Sequence, residues 1–393
     1  MTTDYRLTSD ADREAFYQLY QYAFNNHDTP ARRQFFMDRY QHGWIYGRHD
    51  NGQLVSGLYS LPLAVNFHGV TYKMNGIGDV MTAPEYAGQG GAGQLLTAAL
   101  EEMAAKHVTL SYLAPFAYGY YRRFGYEHVF DHAHQVMAAR DLPRIKPTDW
   151  AGTVTRHGNE GLGLINDFYA QQRQNQRGGL IRPTWWQHYL TLKHNWSIAI
   201  YRNVADQIEG YLIYERQATN FAIQEWATST PAAYQRLANF VTKHGTTFDT
   251  FSYDSPSTAN GLDLLADPYR LQVTIQPYMM ARIVDLYDFI KHYPFTADIQ
   301  PLRLAVSDAT LSSNQGIWAL TRHNGQVTFN RVSDQLTGQT DIQLTIQQLT
   351  TACFGTQSLA RAYQHGLITG DVNAINRLDT SLVKERPALI DYF

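Results

Sequence analysis

Apolar residues in the first third of the chain alternate between two periods. Phe16, Leu19, Tyr20 and Ala23 recur at helical spacing behind Ser9, a residue suited to cap a helix, which predicts an amphipathic helix over about 10–24. Short strand-like runs follow. Trp44–Arg48 and Leu54–Leu61 flank Asn51-Gly52, a strong two-residue hairpin signal, while Leu63–Phe67 and Val70–Met74 flank the weaker His68-Gly69. These pairs are expected to be antiparallel. Ile77–Ala83 then leads through Pro84 and a glycine cluster into a helix whose apolar face carries Leu95, Leu96, Ala99, Leu100 and Met103. The next expected elements are a strand at Val108–Ala114, a short helix near Tyr118–Phe124 and a strand after Gly125.

Two prolines and two charged residues at Pro143–Pro147 mark a break in the pattern. Beyond it, Trp196–Tyr201, Gly210–Glu215 and Phe221–Ala227 read as strands, and a helix at Pro231–Val241 leads to a strand at Phe248–Tyr253. This repeats the strand–helix–strand core of the first segment without its glycines. The turn Ala227-Thr-Ser-Thr-Pro-Ala-Ala contains nothing that lets backbone amides close on a diphosphate, so this segment is not expected to hold such a cofactor. A third segment starts near Tyr293-Pro294, with strands at Leu302–Val306, Gly316–Leu320 and Val327–Asn330, a turn at Asn324-Gly325, and helices from Ile346 onward. The expected domains are 1–145, 146–292 and 293–393.

Composition narrows the class. A chain of 393 residues can bury two or three cores, and 44% hydrophobic with 17% charged residues describes a globular protein. No apolar run approaches the ~20 residues of a membrane-spanning helix, so no membrane partner is expected. The start, Met1-Thr-Thr-Asp-Tyr-Arg, lacks a basic segment followed by an apolar one, which argues against a secretory leader. The single cysteine, Cys353, cannot form an intramolecular disulfide, reads as a small buried apolar residue, and suits the reducing cytoplasm. A net charge of −3 and a pI near 6.6 supply no footprint for nucleic acid, while being compatible with a cationic small substrate.

The most informative stretch runs from Val80-Met-Thr-Ala-Pro84 through Glu-Tyr-Ala-Gly88-Gln-Gly90-Gly-Ala-Gly93. It lies between a strand and a helix, where loop amides and the helix N-terminus make a site for a diphosphate. Gly88-Gln-Gly90-Gly-Ala-Gly93 matches the dinucleotide pattern G-x-G-x-x-G. That reading requires an acidic residue about 20 positions on, and Met103–Tyr126 has none there. The antiparallel hairpins before the loop also contradict a parallel βαβ opening. No Gly-Lys-Ser/Thr follows to make a nucleotide-binding P-loop. His132-Ala-His134 places two imidazoles on one strand face without a third ligand at a recognised spacing, so no metal is expected.

The loop and the segment Ala114-Pro-Phe-Ala-Tyr-Gly-Tyr-Tyr121-Arg-Arg-Phe-Gly-Tyr126 together resemble the GNAT acetyltransferase superfamily, most closely its Eis (enhanced intracellular survival) group. The family loop reads Arg/Gln-x-x-Gly-x-Gly/Ala. Here it is Ala87-Gly-Gln-Gly90-Gly-Ala92, with Ala87 in place of a side-chain donor. The resemblance implies an α/β fold with a mixed sheet: a GNAT domain, a second degenerate GNAT-like domain, and a C-terminal sterol-carrier-like α+β domain. Acetyl-CoA is the implied co-substrate. Val80, Met81 and Thr82 would pair with the pantetheine arm, and Gly88, Gln89, Gly90, Gly91, Ala92 and Gly93 would hold the diphosphate. The thioester would pass Phe116 and Ala117.

Phe124-Gly125-Tyr126 sets the register that puts Tyr121 where family members place a general acid beside the coenzyme A sulfur. A phenol with pKa ~10 keeps its proton at neutral pH. The chain closes Ala388-Leu-Ile-Asp-Tyr-Phe393, apolar enough to dock, and in the Eis group such a phenylalanine offers its terminal carboxylate as the base. Tyr392 departs from that group's acidic residue. Asp28, Asp79 and Asp391 are candidate holders of a cationic acceptor. The resemblance further implies a small-molecule or peptide amine acceptor (aminoglycoside, polyamine or lysine-type) and a homohexamer. The competing reading is an inactive GNAT scaffold that binds an apolar ligand through its C-terminal domain.

Overall fold

A computed structural model describes residues 5–257, 265 and 267–393. The chain forms, in order, α1 (Asp10–Ala23), α2 (Pro30–His42), β1 (Trp44–Asp50), β2 (Gln53–Phe67), β3 (Val70–Thr82), α3 (Gly91–Ala105), β4 (Leu110–Leu113) and α4 (Tyr118–Arg122). Next come β5 (Glu127–Ala138), β6 (Thr153–His157), α5 (Gly161–Gln171), β7 (Arg177–Leu180), α6 (Thr184–Lys193), β8 (Ser197–Arg202), β9 (Ile208–Gln217), β10 (Asn220–Thr228), α7 (Pro231–Thr242) and β11 (Thr250–Ser255). The rest comprises β12 (Gln272–Ile283), α8 (Leu286–His292), β13 (Ile299–Ser307), β14 (Gly316–His323), β15 (Gln326–Ser333), β16 (Ile342–Thr345), α9 (Ile346–Cys353), α10 (Leu359–Gln364), β17 (Thr369–Gly370) and α11 (Val372–Ser381). Two compact units result: residues 1–129 with 279–387 and 392–393, and residues 130–278 with 388–391.

In the first unit β1, β2 and β3 form an antiparallel meander, and β4 adds parallel to β3. The end of β12 continues beside β4, with Met280 opposite Leu113. Helix α3 lays Leu95, Leu96, Ala99, Leu100 and Met103 on this sheet, against Leu58, Ile77 and Leu113. Full burial of each such side chain contributes roughly 1.5–3 kcal/mol. Residues 299–370 make a separate sheet in the order β15-β14-β13-β16-β17, with β13 and β16 parallel. Cys353 in α9 is fully buried, and burial pushes its thiol pKa up, as its reading as an apolar residue requires. In the second unit the strands run β5-β11-β10-β9-β8-β6, and α7 packs Ala233, Leu237 and Val241 over Leu212, Tyr214 and Phe221.

The helix expected over 10–24 is α1, closed by a capping box between Ser9 and Asp12. Strands β2 and β3 differ from the sequence reading: each is continuous where two short runs are expected. Pro62 does not break β2, because β1 ends opposite Ser60 and its ladder needs no amide from Pro62. Asn75 is absorbed into β3 by hydrogen bonds, donating to Ser60 Oγ and accepting from Ser111 Oγ on its carbonyl. Helix α2 has no counterpart in the sequence reading. It buries only Phe36 and Arg39, so it lacks an apolar period, and its one signal is Thr29 capping ahead of Pro30.

Candidate active site

Strands β3 and β4 part company at Ile77, opposite Leu113. Beyond that pair β3 continues along β2 alone, with Met81 opposite Gly57 and Thr82 opposite Ser56. Between Gly57 and Tyr59 the register shifts, so Asp79 and Val80 together oppose Leu58 in a β-bulge. Asp79 adopts φ 45°, a left-handed conformation unusual for a non-glycine residue. The guanidinium of Arg39 holds it there through a salt bridge to the Asp79 carboxylate and lies 4.4 Å over the Tyr59 ring. The result is a wedge whose β3 wall, Val80–Thr82, has no β4 partner.

The wedge leads to the glycine loop. Gly88 and Gly90 both have φ 80°, and Gly90 is the N-cap of α3. No cap side chain occupies that end, so the amides of the first turn point outward. Gly91 is fixed by packing instead, since a Cβ there would lie 2.4 Å from Ser56 Oγ. A cavity of about 590 Å³ opens at this turn, lined by Gly90, Gly93, Gln94, Thr97, Tyr120 and Arg123 among others. Arg123 carries no carboxylate partner among the described residues, and it stacks 4.6 Å over the Tyr120 ring. It lines the same cavity as Gly90 and Gly93. Sequence reading overlooks Arg123, whose only signal is its place one residue before the Phe124-Gly125-Tyr126 register.

Tyr121 is almost fully buried on α4, ringed by Phe116, Tyr120 and Tyr126. Burial raises its pKa well above the ordinary tyrosine value, with smaller contributions from Tyr120, Tyr126 and Tyr392. Its register is locked from behind. Arg282 donates to the Phe124 carbonyl and pairs with Asp308, and a Cβ on Gly125, at φ 81°, would strike the same guanidinium. Phe116 is 70% exposed, and Ala117 is the N-cap of α4. Phe393 is buried on β3 at Gly76. Burial and the neighbouring Asp79 both raise the pKa of Tyr392, which is half exposed. Tyr121, Tyr392, Asp79 and Phe393 thus all lie in the first unit, Phe393 at the inner end of the wedge.

The other candidates are already engaged. Asp28 accepts from Tyr17 and Arg33, and Asp391 from Arg182, Trp186 and Tyr169, so neither carboxylate is available to hold a cation alone. His132 contacts the Leu389 carbonyl and His134 pairs with Asp254, and no group of three metal-ligating side chains occurs among the described residues. In the second unit, the turn before α7 is capped by Thr230, which accepts from Ala233 N and donates to Glu209. A carboxylate at that helix start is the wrong charge for a diphosphate.

Comparison with known proteins fits this geometry. The acetyltransferase (GNAT) domain family matches residues 4–129, a second acetyltransferase (GNAT) family matches 178–283, and the sterol carrier protein domain matches 286–390. A conserved protein from Enterococcus faecalis described as a probable N-acyltransferase is 34% identical over 98% of both chains, with a TM-score of 0.93. The chain belongs to the GNAT acetyltransferases. A GCN5-related N-acetyltransferase from Anabaena variabilis has 21% identity over 99% of this chain and 100% of its own, TM-score 0.86. Eis1 from Mycobacterium abscessus has 18% identity over all of both chains, TM-score 0.80. These two show the shared fold alone. No curated protein matches the chain. As a GNAT acetyltransferase it has two GNAT domains and a sterol-carrier-like domain, and no described helix is long and apolar enough to cross a membrane.

Proposed function

We propose that this GNAT acetyltransferase is an Eis-type enzyme that transfers the acetyl group of acetyl-CoA directly to a primary amine in a ternary complex. The observation that carries the reading is the wedge between β3 and β4, which opens onto the left-handed glycine loop and has Tyr121 beside it. Backbone groups of Val80, Met81 and Thr82 take the place of a β4 partner for the pantetheine amides. The amides of Gly88, Gln89, Gly90, Gly91, Ala92 and Gly93, with Arg123, take the diphosphate. Phe116 and Ala117 flank the thioester. The domains follow 1–145, 146–292 and 293–393, with cofactor in the first alone. The enzyme works in the cytoplasm as a homohexamer, and a solution mass equal to one chain contradicts that assembly.

In the reaction the amine lone pair attacks the thioester carbonyl, the C–S bond breaks, and Tyr121, the general acid, gives its proton to the departing sulfur. A phenol whose pKa burial raises keeps its proton across the physiological range. The acceptor enters as an ammonium and must lose a proton, for which the terminal carboxylate of Phe393 is the base, acting through water. One of the two ammonium protons released restores the Tyr121 phenol, and the other leaves to solvent. The acceptor is an aminoglycoside, polyamine or lysine-type amine, drawn by a mildly acidic protein. The relatives favour this enzyme over an inactive scaffold. Thiol release from acetyl-CoA, measured across such amines with the acetylated product identified by mass, tests it. No thiol release with any amine contradicts it.

A further inference from the structure

Residues 388–391 belong to the second unit, and each one is held there. The Ala388 amide donates to the Arg177 carbonyl at 3.0 Å. Nε2 of His132 lies 2.8 Å from the Leu389 carbonyl. Burial lowers the His132 pKa, and because a carbonyl only accepts, the ring nitrogen facing it is the donor. The same ring stacks on Tyr278 at 3.7 Å, and the Tyr278 hydroxyl lies 3.2 Å from the carbonyls of Ile390 and Asp391.

The Asp391 side chain is gripped most firmly. Its carboxylate accepts from Arg182 Nε at 2.9 and 3.2 Å, from Trp186 Nε1 at 2.8 Å and from the Tyr169 hydroxyl at 3.2 Å. The other arm of Arg182 reaches Glu225 at 2.9 Å, and Glu225 in turn accepts from Tyr211. The Arg182, Glu225 and Asp391 side chains are 4%, 1% and 1% exposed. Burying three charges is a poor way to add stability, because apolar residues of similar volume do as well or better. What such a network supplies is a fixed position for Asp391. One peptide unit further on, the chain joins the first unit, where Phe393 docks on Gly76 and Tyr392 faces Asp79 and Tyr121. Asp391 and Phe393 are at most about 7 Å apart along the backbone.

We infer that Asp391 is a positioning residue of the acetyl-transfer reaction: clamped by Arg182, Trp186 and Tyr169, it fixes the backbone from which Tyr392 and Phe393 enter the acetyl site. The inference rests on the role assigned to Phe393 above. It differs from a plain anchoring role in what it predicts for kinetics, since a displaced tail disturbs the acetyl-transfer step and leaves the acetyl-CoA contacts of the glycine loop untouched. Misplacement by about 1 Å is enough to cost on the order of a hundredfold in rate.

The test compares Asp391→Asn and Tyr278→Phe with the parent enzyme in kcat, KM for acetyl-CoA and melting temperature. Asp391→Asn keeps the shape and removes the charge that Arg182 and Trp186 hold. Tyr278→Phe removes only the hydroxyl on the two carbonyls and leaves the fold intact. The expected result is a tenfold to hundredfold loss of kcat in Asp391→Asn and a loss of about threefold in Tyr278→Phe, each with KM for acetyl-CoA unchanged. Native kcat in a folded Asp391→Asn enzyme overturns the inference, and should that variant not fold, native kcat in Tyr278→Phe overturns it. Chains extended beyond Phe393 and a Phe393→Ala variant separate this from the parent reading. If those two work at the native rate, the role of Phe393 fails and the inference with it. If they are slow while Asp391→Asn and Tyr278→Phe are not, the clamp alone fails.

Discussion

The Phe393 ring lies directly on the Cα of Gly76: a Cβ built on Gly76 would stand 2.5 Å from the ring. Gly76 is the β3 residue opposite Tyr112 of β4, one pair before the wedge opens, so the ring marks the inner end of the site. Gly76→Ala places a methyl group where the ring sits and forces Phe393 out. The expected outcome is a lowered kcat with acetyl-CoA affinity intact, read from initial rates and equilibrium binding. Native kcat shows that the docked ring is dispensable.

Tyr121→Phe removes only a hydroxyl from a packed aromatic cluster. Turnover is expected to fall on the order of tenfold to a hundredfold while KM for acetyl-CoA holds, because the lost hydrogen bond forms as the sulfur departs. The raised Tyr121 pKa adds a pH signature: in the parent enzyme no alkaline loss of kcat arises from this residue below about pH 10. An unchanged rate in the phenylalanine variant returns Tyr121 to a packing role.

Arg39 carries the bulge. Its side chain and that of Asp79 are 7% and 10% exposed, so Arg39→Met takes the guanidinium away from a carboxylate that the fold has desolvated. A destabilisation of roughly 3 kcal/mol is expected, seen as a lowered denaturation midpoint. Arg33→Ala breaks pairs to Glu14 and Asp28 that stand in solvent, and a far smaller change is expected. Equal effects from the two substitutions contradict the assignment of Arg39.

How much of this is legible in the sequence depends on whether the signal is local. The hairpin turns at Asn51-Gly52, His68-Gly69 and Asn324-Gly325 all adopt the paired positive φ values that their residue types favour. The face of α3 is equally plain, five buried residues at helical spacing. What escapes is decided at long range. Arg39 lies on a helix without an apolar period and meets Asp79 forty residues on; Arg123 gains meaning only when α4 is folded against the first turn of α3. Asp391 misleads for the same reason, since its carboxylate looks free in the sequence and is satisfied by Arg182 and Trp186, more than two hundred positions away.

Alkaline stability follows from the buried tyrosines. Burial raises the pKa of Tyr112, Tyr169, Tyr211 and Tyr293 well above the ordinary value, so the folded state keeps protons that the unfolded chain gives up near pH 10. The stabilisation is complete below that pH and is lost as pH rises toward the folded-state values, by about 1.4 kcal/mol per pH unit for each tyrosine. A melting temperature that is level up to about pH 9.5 and then drops steeply is expected. A level profile through pH ~11 contradicts it.

The placement of acetyl-CoA in the first GNAT domain is tested most directly by titrating acetyl-CoA into the parent enzyme and into Gly90→Val by calorimetry. Gly90 holds φ 80° at the N-cap of α3, a conformation a β-branched residue resists, and in the proposed function the added side chain stands where the diphosphate approaches. One acetyl-CoA per chain is expected in the parent and none in a folded Gly90→Val variant. Unchanged affinity in that variant, or two equivalents per chain in the parent, contradicts it.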